Sequence, residues 1–458
     1  MRVLLVDPPK RPWPLLRDTV MPPIGLAYLA SYLRASGVEV SVLDCTAQNI
    51  GWDKLRDILE RFEPDLVGAG GPTCYSGEVA RVLSIAKDVA PGVMTVAGGP
   101  HFTFTAKESL LRHPQIDFIV LGEGERTLAE LVHALEGGGK LGDVRGLALR
   151  RGGEVLSTEP RPLIEDLDSL PIPAWDMLPM QKYRLSAWGN ATMLVSSRGC
   201  PFKCRFCSER VFWGGVWRGH SPKRVVYEME LVSRKYGKEI IWFGDDTFNV
   251  DRDRLIGIAD EIAERGLKVS WGFEGRADLI LRDRDIIGRL RDAGLFWVLL
   301  GVEASSEEEL RRYGKGITLE QVREAFKVLK EHDIITQAMF IVGERKDTAE
   351  TIMRKVELAK ELDADFAIFT PLTPLPGTPL YEEARAKGWL EVDDYSRYDF
   401  AHAVMPTETL TRREVDRLIA QCYTSFYARP TKILGALLSR NPHRRAVIRH
   451  FLKLVLLG

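Results

Sequence analysis

The stretch Ser196-Ser-Arg-Gly-Cys-Pro-Phe-Lys-Cys-Arg-Phe-Cys207 places Cys200, Cys204 and Cys207 within eight residues, directly after the apolar run from Met193 to Val195. A loop that curls after a strand can turn all three thiols toward one centre, and thiolates select soft metals or iron–sulfur clusters. Three ligands leave a fourth position open for a substrate or cofactor, whereas a structural zinc site is usually closed by four protein ligands. A zinc knuckle with His220 as fourth ligand is the competing reading of the same residues.

Outward on the carboxyl side, strand-like runs at Thr192–Ser196, Ile240–Phe243, Val269–Phe273, Trp297–Gly301, Ile335–Ile341 and Phe366–Thr370 alternate with segments of helical period. Six such units over 191–385 predict an incomplete parallel barrel, whose functional face is the carboxyl end of its strands. The polar motifs fall just beyond strands: Gly244-Asp-Asp-Thr-Phe248, Gly275-Arg-Ala-Asp278 and Gly301-Val-Glu-Ala-Ser305. On the amino side, apolar runs at Val3–Val6, Val40–Leu43, Leu66–Ala69, Met94–Ala97 and Phe118–Leu121 also alternate with helical segments. That pattern predicts a doubly wound, Rossmann-like parallel sheet over 1–140.

The sheet's loops read Met21-Pro-Pro-Ile-Gly25, Gly70-Gly-Pro-Thr-Cys-Tyr-Ser76, Gly98-Gly-Pro-His101 and Gly122-Glu-Gly-Glu125. Glycine lets a backbone approach a ligand closely, and ligands of such sheets bind beyond the strand ends, so four loops along one edge suit a large flat partner. Gly137-Gly-Gly139 is expected to end the sheet domain, followed by a small hairpin around Arg151-Gly-Gly153. The prolines at 160, 162, 171, 173 and 179 predict a semi-rigid connector over 141–190, with Trp175 as an anchor between domains.

A chain of 458 residues suggests about three domains. With 45% hydrophobic and 28% charged residues and a formal net charge of −1, nothing global predicts a nucleic-acid partner. No leader is recognised before the first strand, and no apolar run approaches the roughly 20 residues of a membrane span, so a cytoplasmic compartment is expected. Cys45, Cys74 and Cys422 read as small core hydrophobes.

The cysteine spacing, with Phe206 before the last thiol, resembles the cluster loop of the radical S-adenosylmethionine (radical SAM) superfamily, and the sheet loops together resemble the cobalamin-binding domain found ahead of such barrels. The resemblance implies a [4Fe-4S] cluster on Cys200, Cys204 and Cys207 that chelates SAM. It implies that Asp245 and Asp246 take the methionyl ammonium, that Glu303 and Ser305 hold the ribose, and that Arg276 lies near the cofactor. Arg218 is a candidate for the methionyl carboxylate or for an acidic helix end. In the cobalamin domain it implies contacts from Pro22, Pro23, Thr73, Ser76, Gly98, Gly99, His101, Gly122, Glu123 and Gly124. The Asp-x-His-x-x-Gly signature is absent, so no histidine from that motif is expected beneath cobalt, where the loop Gly71–Ser76 would lie. Gly343-Glu-Arg-Lys-Asp-Thr348 departs from the family's Gly-x-Pro-Gly-Glu-Thr, leaving its turn and its carboxylate unassigned.

The activity implied is methyl transfer from methylcobalamin to a carbon radical made by the adenosyl radical; oxidation or cyclisation with the same cofactors, and a non-catalytic zinc-stabilised corrin sensor, are alternatives. Catalytic side chains are not identified by pattern. A small-molecule or lipid substrate and an electron donor such as flavodoxin or ferredoxin are the partners implied. Residues 386–458 are expected to be mostly helical. From 429 onward the chain carries seven basic residues and no acidic one, and Val447, Phe451, Leu454 and Val455 share a helical face beside Ile448 and Leu452. Such a helix either packs on the barrel or lies in a headgroup plane, a peripheral membrane contact.

Overall fold

The computed structural model describes residues 1–11, 19–186, 188–447 and 449. They fall into two compact units, one holding the N-terminal strand and residues 20–183, the other beginning at residue 184.

In the first unit β1 (Arg2–Asp7), β2 (Glu39–Asp44), β3 (Leu66–Gly70), β4 (Met94–Gly98) and β5 (Phe118–Val120) run parallel in the order β2-β1-β3-β4-β5. Strands covered on both faces read as continuous apolar runs, and Leu4, Val6, Val67, Ala69, Ala97 and Ile119 all enter one buried cluster. The sheet does not stop at Gly137-Gly-Gly139. The hairpin of β6 (Leu147–Arg151) and β7 (Glu154–Ser157) adds antiparallel to β5, with Phe118 opposite Leu149 and Val120 opposite Leu147. Leu147 and Ala148 are fully buried, so an apolar strand covers the edge that β5 would otherwise expose. The proline-rich segment is likewise packed on this unit. It forms short turns at Leu167–Ser169, Trp175–Met177 and Met180–Lys182, the Ala174 amide donates to Ala27 O at 3.0 Å, and Tyr183 Oη donates to Asp44 Oδ2 at 2.8 Å.

The second unit holds β8 (Arg184–Leu185), β9 (Gly189–Leu194), a two-stranded ribbon of β10 (Ser197–Arg198) and β11 (Arg218–Gly219), then β12 (Ile240–Phe243), β13 (Ser270–Gly275), β14 (Leu295–Glu303), β15 (Ile335–Val342) and β16 (Phe366–Pro371). Its main sheet has the order β16-β15-β14-β13-β12-β9-β8, and every pairing between β9 and β16 is parallel. This is the six-unit half-barrel, the α/β class expected. The crossover helices start where the sequence supplies caps: Ser221, Asp251, Thr318 and Thr348 each accept from a backbone amide three residues on.

β16 is an edge strand, and the helix Arg412–Tyr427 covers it in a particular way. Tyr427 Oη donates to Ala367 O at 2.9 Å and accepts from Ala367 N at 3.2 Å; Tyr423 Oη treats Phe369 the same way, at 3.1 Å in both bonds. Residues 388–411, expected to be mostly helical, are largely irregular and gather round Tyr381, Tyr398 and Val404. Of the expected tail face, Val447 is buried, while Ile448, Phe451, Leu452, Leu454 and Val455 lie outside the described residues. The preceding residues pack on the second unit: Arg444 pairs with Asp333 and Asp365 at 2.8 and 2.7 Å, and the His443 ring lies 4.2 Å from that of Phe296. Among the described residues no helix is long and apolar enough to cross a membrane.

Candidate cofactor sites

The cysteine loop is fastened on three sides. Gly199 opens it with φ +91, and a Cβ there would lie 2.0 Å from Val216 O, so no other residue fits without moving backbone. Beneath it, Asp245 is 2% exposed and takes hydrogen bonds from the Ser196 amide, Ser196 Oγ and Ser197 Oγ at 2.7, 2.7 and 2.5 Å. Burial pushes its carboxyl up, against the pull of Arg254 and these donors. Arg254 in turn donates to Ser196 O and to His220 O. On the far side, the Arg205 amide donates to Tyr313 O at 3.0 Å, Phe206 meets the Tyr313 ring edge-on at 5.4 Å, and the Arg276 guanidinium lies 3.6 Å from the Phe202 ring centroid.

The predicted site residues therefore divide. Asp245 organises the loop, with both oxygens occupied. Asp246 accepts from the Gly199 amide at 2.9 Å; burial, and then the adjoining Glu209 carboxyl, push it up to about 8. Arg276 is held by Asp278 and by Lys315 O at 2.9 Å. Arg218 is 8% exposed, its guanidinium over the Trp213 ring at 5.4 Å, and its backbone pairs with Arg198 just before the thiols. Glu303 ends β14 at φ +66, a left-handed conformation rare outside glycine. Its Oε1 accepts from Lys315 Nζ at 2.7 Å, both side chains under a tenth exposed. The Ser305 amide donates to Glu309 Oε2 at 3.3 Å.

Three residues of this constellation were not foreseen. Glu209 follows the thiols by two positions and meets Asp246. Lys315 stands between Gly314 and Gly316, both at positive φ; that bracketing is the one signal the sequence offered. Glu274, on the face of β13 shared with Gly272, is pushed up to about 7 by burial, then by Glu303, with Lys315 opposing. Among the thiols, burial raises Cys204, which also feels Lys315, Glu303, Arg276 and Cys200; burial raises Cys207 too, with Cys204 and Cys200 adding to it.

In the first unit the loops after β1, β3, β4 and β5 share the carboxyl edge of the sheet. The order 2-1-3-4-5 reverses between β1 and β3, the place where ligands of open α/β sheets bind. Next to it, where β3 and β4 end side by side, Gly70 and Gly99 press on their neighbours: added Cβ atoms would stand 2.7 Å from Gly98 O and 2.9 Å from Gly71 N. Gly122, at φ +66, has nothing within 4 Å of such an atom. Thr73, Ser76, His101 and Glu123 are buried. His101 Nδ1 lies 3.4 Å from Thr73 Oγ1, and burial, then His113, lowers its ring to about 4, so it is neutral. Glu123 Oε2 accepts from the Ile164 amide at 2.7 Å, and Ser76 Oγ donates to Thr73 O. Pro22 and Pro23 lead into the helix Ile24–Ala35, and a Cβ on Gly124 would meet Leu29 at 3.0 Å.

Residues 17–132 match the model of the B12-binding domain and residues 194–359 that of the radical SAM superfamily. Over 439 residues the chain is 37% identical to an uncharacterized methyltransferase of Pyrococcus horikoshii, covering 95% of this chain and 94% of that one. The chain belongs to the cobalamin-binding radical SAM family. It is also 35% identical to the anaerobic magnesium-protoporphyrin IX monomethyl ester cyclase of Rubrivivax gelatinosus, over 93% of this chain and 77% of the relative. The cobalamin-dependent SAM radical enzyme OxsB, solved with aqua-cobalamin and SAM, has the same fold, with TM-score 0.77 and 18% identity over 99% of this chain and 71% of that one.

As a member of that family the chain is an enzyme whose cofactors are cobalamin, SAM and a [4Fe-4S] cluster, and its residues fit them. The three thiols sit on one loop, partly accessible. At Gly70 and Gly99 the loops of the first unit meet backbone to backbone, with no room for a side chain.

Proposed function

We propose that the chain is a cobalamin-dependent radical SAM methyltransferase acting on an unactivated carbon of a small molecule. The observation that carries this reading is the three-thiol loop, fastened at the mouth of a parallel half-barrel in a chain that also holds a B12-binding sheet. When bound, the cluster and SAM supply a hydrogen-abstracting radical, and cobalamin supplies the methyl group. Cys200, Cys204 and Cys207 would hold the cluster. Asp246 and Glu209, a carboxyl pair, would offer acceptors to the methionyl ammonium, Glu303 and Ser305 would hold the ribose, and Arg218 would be suited to the methionyl carboxylate. Asp245 and Arg276 act one step back, by holding Ser196, Ser197 and Phe202. In the first unit the backbones of Gly98, Gly99 and Gly122, with Thr73 and Ser76, would line the corrin, while His101 and Glu123 brace those loops.

Identity over nearly the full length of a protein named as a methyltransferase favours methylation; identity to a cyclase keeps ring formation as the second reading. Anaerobic reconstitution with iron, sulfide and hydroxocobalamin tests the cofactors, and the absence of both cluster and corrin absorbance after desalting would refute them. Product mass separates the reactions: one added methyl group against a change in hydrogen or oxygen content.

The substrate is proposed to include an apolar, lipid-like class, with the basic tail resting on a membrane surface from the cytoplasmic side. Leu434 and Leu438 are 58% and 74% exposed in the tail, close in sequence to Arg440, whereas the anchoring of Arg444 favours packing for the residues nearest it. Salt-sensitive co-sedimentation with anionic liposomes, lost on truncation after Arg429, is expected; full-length protein that stays in the supernatant at low ionic strength removes the membrane role. Flavodoxin or ferredoxin is the class of reductant proposed.

A further inference from the structure

Lys315 lies where three otherwise separate parts of the barrel mouth meet. It belongs to the tripeptide Tyr313-Gly-Lys315, at the end of the short helix Glu307–Tyr313. Tyr313 carries the cysteine loop, through its carbonyl to the Arg205 amide and its ring to Phe206. Gly314, at φ +67, abuts the same loop, since a Cβ there would stand 2.9 Å from Lys203 O. The Lys315 carbonyl receives Arg276, which stacks on Phe202. Its ammonium reaches the other way, to Glu303 Oε1 at 2.7 Å.

The fit around this pair is close. A Cβ on Gly301 would lie 2.3 Å from Glu303 Oε1 and 2.6 Å from Lys315 Nζ, so glycine at 301 is a condition of the contact. Glu303 is held at φ +66, a backbone state that persists only when its surroundings fix it. Burial alone would lower the Lys315 ammonium, and the Glu303 carboxylate 2.7 Å away outweighs it. Arg276, the other cation near Cys204, is turned to Asp278 and Phe202. The Lys315 contact engages Oε1 of Glu303 and leaves Oε2 outside it.

We propose that Lys315 is a positioning residue that couples the two halves of the SAM site. Its ammonium fixes one oxygen of Glu303 so that the other is presented to the ribose hydroxyls, and its charge offsets the negative charge of the thiolate-bound cluster. A lone buried carboxylate would turn, or take up a proton, and accept the diol poorly. This inference rests on the radical SAM reading and adds to it a residue outside its known motifs.

The test uses the full chain as Lys315→Met and Lys315→Arg, each with and without reconstituted cluster. Binding of 5'-deoxyadenosine to the cluster-free chain reads the ribose contact by itself, by equilibrium dialysis. SAM binding and the cluster's midpoint potential, followed by electron paramagnetic resonance, read the charge. Lys315→Met is expected to weaken 5'-deoxyadenosine and SAM at least tenfold and to make the midpoint more negative, at unchanged iron per chain; Lys315→Arg is expected to recover much of both. Equal affinities and potential in Lys315→Met and wild type overturn the proposal, as does a loss confined to melting temperature and iron content. Wild-type protein that assembles no cluster and binds no SAM would instead overturn the underlying reading, and so is distinguishable.

Discussion

Lys355→Met is the most telling single change in the second unit. Lys355 is fully buried in the helix Ala349–Glu361, and its ammonium lies 2.6 Å from Glu309 Oε1, 2.8 Å from Asp347 Oδ2 and 2.7 Å from Ile341 O. Methionine matches its length and leaves two buried carboxyls with no cation between them. Breaking a buried pair in this way costs about 3–5 kcal/mol, which lowers the protection of local amides by roughly two to three and a half powers of ten. The pH dependence has a definite sign. Burial outweighs Lys355 and raises Glu309 in the folded state, so its contribution is fully present below the unfolded carboxyl value and is lost as pH rises through the folded one. Without Lys355 that folded value climbs further, and the penalty is larger near pH 8 than near pH 5. Hydrogen exchange of peptides from β15 and the helix Ala349–Glu361, with the first unit's sheet as internal reference, reads this directly. Glu309→Gln on the Lys355→Met background should restore part of the protection. Wild-type protection at about pH 8, or a penalty that grows toward acid, would refute the reasoning.

Cys204→Ala should abolish 5'-deoxyadenosine formation and lower bound iron, because two thiolates do not hold the cluster; product at the wild-type rate would contradict the ligand set. Gly199→Ala should lose cluster occupancy with the first unit intact, since its Cβ would strike Val216 O; iron content per chain and thermal melting measure it. Cob(II)alamin in the chain should show no histidine nitrogen splitting by electron paramagnetic resonance, because the Asp-x-His-x-x-Gly signature is absent from the sequence.

The α/β order and the strands of both units were legible because parallel strands buried on both faces write themselves as apolar runs, as in Val3–Val6 and Ile240–Phe243. The thiols were legible because their spacing is local. What escaped was decided by tertiary contact. Lys355 sits at a position of ordinary helical period, and nothing local shows that Glu309 and Asp347 fold over it. Asp245 and Asp246 are adjacent in sequence, yet one is spent on Ser196 and Ser197 while the other meets Glu209. The hairpin that follows Gly146 was visible, but its pairing with β5 depends on an edge that only the assembled sheet creates.

The two tyrosine hydroxyls on β16 bear on why the barrel is a half. Tyr423 and Tyr427 are one helical turn apart, and Phe369 and Ala367 are two residues apart on a strand, spacings of about 6 and 7 Å that let one helix face reach both. Each hydroxyl takes the N–H and the C=O that a seventh parallel strand, or a strand from another molecule, would need. The helix thus acts as a full stop in the hydrogen-bond ladder, written in side chains. Replacing both with phenylalanine would keep the packing and reopen the ladder, and the expected symptom is self-association through β16, visible by light scattering before any loss of cofactor.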